Sequence, residues 1–175
     1  MDESTWLKCT DPDEMLGYVF NKVSARKAHL LACGCARQVW SELDADTRKA
    51  FEVTELYADG HVSERNLDQD TMAAHAVFAS GRTHDELNTL QLLRDVFGNP
   101  FHPASIDPAI LTWNHGTVPG IARHIYDERA FGDLPILADA LEDAGCTNAD
   151  ILSHCRGPGP HVRGCWVVDL LLGRS

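Results

Sequence analysis

The chain has 175 residues, a 44% hydrophobic content and a formal charge of -11 from 15 Lys and Arg against 26 Asp and Glu. That length supports one domain with a sizeable core, and the mixed charge argues against a disordered chain. The acidic balance disfavours nucleic acid and anionic membranes as partners, since the longest basic cluster is only the "SARK" at 24–27.

The opening "MDESTWLKCTDPDEML" has neither a basic nor an apolar leader region, and no apolar run reaches the roughly 20 residues of a membrane helix. A cytoplasmic location is expected, with the six cysteines as thiols or metal ligands rather than a disulfide framework.

In chain order, Asp11 and Pro12 open a helix from about Pro12 to Asn21, with Asp13 and Glu14 favouring its dipole. Ser24 caps a second, "ARKAHLLACGCARQVWSEL", where Ala28, Leu31, Ala32, Cys35 and Val39 form one apolar stripe. Within it, Cys33 and Cys35 lie about 200° apart on the wheel. Cys35 is expected in the core and Cys33 at the surface. Asp46 or Thr47 opens a third helix, which Gly60 ends. Ser63 caps a fourth, and Thr83 begins a fifth, "HDELNTLQLLRDVFG".

The segment "FGNPFHPASIDP", Phe97 to Pro108, reads as a connector between an N-terminal lobe (1–97) and a C-terminal lobe (109–175) of one domain. Beyond it helices are expected over about Pro108–Trp113, Val118–Glu128, Leu134–Ala144, Ala149–Cys155 and Val162–Leu172. Nothing alternates as a strand should. The fold class is therefore all-α, with about eight to ten helices.

Chemistry concentrates in "HCRGPGPHVRGCWVVDLLLG", His154 to Gly173. If the last helix starts at His161, then His161, Cys165 and Asp169 fall at i, i+4 and i+8 on one face. Imidazole, thiolate and carboxylate are zinc ligand types, and the preceding loop brings His154 and Cys155 within reach. No paired C-x-x-C knuckle accompanies them, so no cofactor is expected, with zinc possible. The competing reading is a packed helix junction, with Cys165 filling core volume and Asp169 paired to Arg156, Arg163 or His161.

Arg156 and Arg163 flank a glycine-rich turn before a helix and are candidate anion ligands, without a P-loop pattern. A thiol nucleophile built on Cys165 with His161 or His154 requires an access path. Cys9 and Cys146 have no evident partner in sequence. The helix-turn-helix pattern of "LADALEDAGCTNADILSHCR" is too acidic to face phosphates.

The W-x-x-C-x-D-P opening at Trp6 to Pro12, "RKAHLLACGCAR", "LLRDVFGNPFHP", "IYDERAFGDLPILADALEDAGC" and the closing C-R-G-P-G-P-H-V-R-G-C-W-V-V-D-L-L-L-G together resemble a largely uncharacterised family of bacterial paralogues. The resemblance implies a bacterial, intracellular helical protein and assigns no activity to particular residues. Members have an alanine-rich middle, which here is shorter and more mixed, between about Asn66 and Thr89. The reading expected from the sequence is a non-enzymatic interaction or adaptor module with a protein partner. The alternative is a metal- or thiol-dependent enzyme, or a structural zinc protein, centred on His154, Cys155, His161, Cys165 and Asp169.

Overall fold

In a computed structural model, residues 1–19, 22–63 and 86–175 are described. Among them the chain forms ten α-helices and no strand: α1 (Glu3–Lys8), α2 (Pro12–Val19), α3 (Ala25–Gln38), α4 (Ala45–Ala58), α5 (Glu86–Phe97), α6 (Pro108–Thr112), α7 (Thr117–Glu128), α8 (Leu134–Asp143), α9 (Ala149–Arg156) and α10 (Trp166–Leu172). The all-α expectation holds. The helix expected after Ser63, the start expected at Thr83, and residues 20 and 21 lie outside the described residues.

Side-chain caps set most helix starts by accepting otherwise unpaired amide protons. Asp11 Oδ1 accepts from the Asp13 and Glu14 amides, Ser24 Oγ from Lys27, and Asp107 Oδ1 from Ala109. The cap of α4 is Asp44, two residues before the expected start, and its carboxylate accepts from Thr47 N at 2.8 Å. Helix α1 was not expected. Asp2 caps it, and it carries Trp6, whose indole N–H reaches Gly98 O at 3.1 Å.

The expected stripe on α3 is corrected in part. Leu31, Ala32 and Cys35 are buried, but Ala28 is exposed and Cys33 is buried rather than a surface thiol. The reason is that α3 packs on both α4 and α5, so Cys33 faces Phe51 while Leu31 and Cys35 face the α5 side.

Buried apolar residues fall mainly into an N-terminal cluster around Trp6, Met15, Leu31 and Leu93, and a C-terminal cluster around Val118, Ile125, Leu137, Ile151 and Val168. Phe97 and Phe101 of the connector pack on the first, Ala104 and Ile106 on the second. Val162 crosses from the C-terminal half into the N-terminal cluster. No helix among the described residues is long and apolar enough to cross a membrane.

Candidate metal centre

The last helix is shorter than its apolar pattern suggests. It begins at Trp166 with Cys165 as its N-cap, so His161 lies in the preceding loop and the i, i+4, i+8 register is corrected. Gly164 explains the break. Its φ is +94°, and a Cβ there would meet Leu30 Cβ at 3.0 Å, so the loop turns against α3 at a position only glycine tolerates.

The loop nonetheless delivers His161 and Cys165 to one point, where α9 supplies His154 and α5 supplies Asp95. One ligand atom from each of Asp95, His154, His161 and Cys165 lies within 4.8 Å of the others. Cys165 is fully buried, and the side chains of Asp95, His154 and His161 are 2%, 16% and 10% exposed. Asp95 was not among the sequence candidates. It sits in the last turn of α5, where the helix dipole disfavours a negative charge, so compensation must come from across the packing interface.

That compensation is visible in the bonding. His161 Nδ1 lies 2.6 Å from Asp95 Oδ1, His154 Nε2 lies 3.1 Å from the same oxygen, and the Val162 amide donates to Oδ2 at 3.0 Å. Burial pushes the Asp95 carboxyl up, but the hydrogen bonds from His154 and His161 overcome it and hold the group below the usual carboxylate range. Burial likewise pulls His161 down, and Asp95 and the Gly157 carbonyl raise it on balance. Cys165 Sγ lies 3.2 Å from His154 Nε2, and burial raises its thiol well above the ordinary value.

The two imidazoles differ. His161 Nε2 faces Gly157 O at 3.3 Å, the arrangement in which a ligating histidine donates its second ring N–H to a carbonyl. His154 Nδ1 instead accepts from Trp166 Nε1 at 3.1 Å. Trp166 is held against Gly98, whose missing Cβ would lie 3.0 Å from the indole ring at a φ of +60°.

Compared with known proteins, the chain matches no family model, no curated protein and no solved structure. The geometry therefore carries the chemistry.

Of the sequence candidates, His154, His161 and Cys165 come together, and Cys155 and Asp169 do not join them. Cys155 is buried in the C-terminal cluster, and its thiol is pushed up to about 12 by burial. Asp169 faces the other way along α10, where it binds Arg26 at 2.8 Å and Lys27 at 2.6 Å. Its partners are thus α3 cations, not Arg156, Arg163 or His161 as the junction reading had it.

Arg156 and Arg163 do not converge either. Arg156 is an exposed partner of Asp139 and Glu142, and Arg163 donates to the Tyr126 and Asp127 carbonyls. The one sequence hint of Asp95 is a carboxylate inside the apolar "LLRDVF", which the structure buries beside Leu92 and Val96 but which names none of its neighbours in the site.

Proposed function

We propose that Asp95, His154, His161 and Cys165 form a structural zinc site that ties α5 to the C-terminal helices, making the protein a metal-stapled helical domain. One observation carries this reading: four zinc-type donors, from two helices, a loop and a helix cap, lie within 4.8 Å of one another in a closed corner. Zinc bonds of about 2.0–2.3 Å place tetrahedral donors roughly 3.3–3.5 Å apart. The His154 contacts at 3.1 and 3.2 Å are close to that, and the 2.6 Å Asp95–His161 hydrogen bond must open.

Charge also fits. A dication with one thiolate, one carboxylate and two neutral imidazoles is a neutral unit, which a buried corner tolerates. Burial of Cys165 argues against a thiol nucleophile there, because a thiolate is disfavoured and a substrate has no path to the sulfur. Four protein donors in a closed site match structural rather than catalytic zinc.

The test is metal analysis of protein purified without an affinity tag. About one equivalent of zinc, lost together in His161→Ala and Cys165→Ser, supports the site. Stoichiometric metal that survives both substitutions assigns it elsewhere.

A further inference from the structure

A second constellation lies on the other side of His161. Arg37 of α3, Arg129 at the end of α7 and Arg163 of the Gly164 loop line one cleft with Leu30, Phe131 and Val162, and its acidic member is Glu55 of α4. The cleft offers about 160 Å³. Arg37 and Arg129 both bind Glu55 there, while Arg163 turns its guanidinium to the Tyr126 and Asp127 carbonyls and toward Asp59, on a chain whose formal charge is -11.

The imbalance extends inward. Among the described residues, Arg37 and Arg129 share Glu55, while Arg26, Lys27, Arg163 and Arg174 pair with Asp59 and Asp169. Among the described residues, six cations meet three carboxylates in these two groups, and the carboxylates are nearly fully buried. Partly buried cations in excess favour an anionic counter-ligand.

Arg129 adds an independent sign. It occupies the left-handed region, at φ 53° and ψ 33°, at the C-cap of α7. Helices commonly place glycine at such a turn, and a non-glycine residue there costs about 1 kcal/mol or more. Here that position is held by an arginine whose Nη2 binds Glu55, leaving its Nε and Nη1 outside that bond. Arg37 uses Nε and Nη2 on Glu55 and leaves Nη1.

We propose that this cleft binds a phosphate group, held by the remaining guanidinium donors of Arg37 and Arg129. Arg37 and Arg129 leave one positive charge over that of Glu55. Guanidinium forks suit phosphoryl oxygens, and the small volume favours inorganic phosphate or a small phosphomonoester over a nucleotide.

The experiment is calorimetric titration of the full chain with inorganic phosphate and, separately, with glycerol phosphate, each at constant ionic strength against acetate and chloride. Saturable one-to-one phosphate binding is expected, weakened about tenfold or more in both Arg129→Gln and Arg37→Gln. Tighter binding of glycerol phosphate identifies a phosphomonoester as the source, and tighter inorganic phosphate the free ion. Arg129→Lys keeps the charge without the fork and should bind with intermediate affinity while its circular dichroism stays that of the parent.

Phosphate heat no different from chloride, or equal affinity in the folded Arg129→Gln protein, overturns the proposal. Running the titration on both chelator-washed and zinc-loaded protein separates this result from the fate of the zinc site.

Discussion

Trp166 donates its indole N–H to Nδ1 of His154 at 3.1 Å, so the ring proton of His154 sits on Nε2, the atom that faces Asp95 and Cys165. An indole nitrogen cannot accept a hydrogen bond. A metal ion held by Nε2 would force the proton to Nδ1, where it would meet the indole N–H, so loading the proposed site would have to move Trp166 off His154. Metal binding and the Trp166 contact therefore compete.

Trp166→Phe removes this competition and should tighten zinc binding. A net hydrogen bond of about 1 kcal/mol corresponds to roughly fivefold in affinity. Zinc should also change the tryptophan emission of the parent protein, and change that of Trp166→Phe much less. Equal affinities, or an unchanged emission on loading the parent, contradict the coupling.

Asp169→Asn separates the two faces of α10. Asp169 is buried against Arg26 and Lys27, and burial, which lowers the Arg26 pKa, is outweighed by Asp169, which raises it. Removing the charge should cost about 3 kcal/mol in urea unfolding, since Lys27 loses its carboxylate partner and Arg26 is left with Asp59. Bound zinc should stay at one equivalent. Loss of metal from a folded Asp169→Asn protein restores Asp169 to the ligand set.

Several helix positions were legible in the sequence because capping is local: Asp11 and Ser24 each act within three residues of themselves. His154, His161 and Cys165 were legible as a group because they share one short stretch. Asp95 was not, since its proximity depends on how α5 packs against the Gly164 loop, and a helical carboxylate usually marks a solvated face. Asp169 was misplaced for a related reason. The apolar run continues upstream of Trp166, but Gly164 at φ +94° ends the helix where hydrophobicity does not.

Alkaline stability tests the packing of the Asp59 network. Burial, then donation to Asp59, raises the Tyr126 pKa above its ordinary 10.0. Because the folded value is the higher one, the stability this hydroxyl contributes is full below about pH 10 and is lost as pH rises toward the folded value. Tyr126→Phe should be less stable at neutral pH and lose less stability above pH 10 than the parent. Identical pH dependence of the two in urea melts would show that the hydroxyl is not held as described.

Asp95→Asn removes the charge that both histidines face. It should lower stability by about 3 kcal/mol in metal-free protein, as expected when one member of a buried ion pair is lost. It should also weaken zinc retention against a chelator. A variant as stable as the parent would mean that His161 carries no charge in need of Asp95.

Cobalt binding tests the proposed zinc site most directly, because Co²⁺ reports both coordination number and sulfur ligation. Titrated into chelator-washed protein, it should saturate at one equivalent with intense tetrahedral visible bands and a thiolate charge-transfer band, and zinc should displace it. Cys165→Ser should abolish the charge-transfer band. A spectrum that stays weak and octahedral, or a charge-transfer band that persists in Cys165→Ser, contradicts a site built from Asp95, His154, His161 and Cys165.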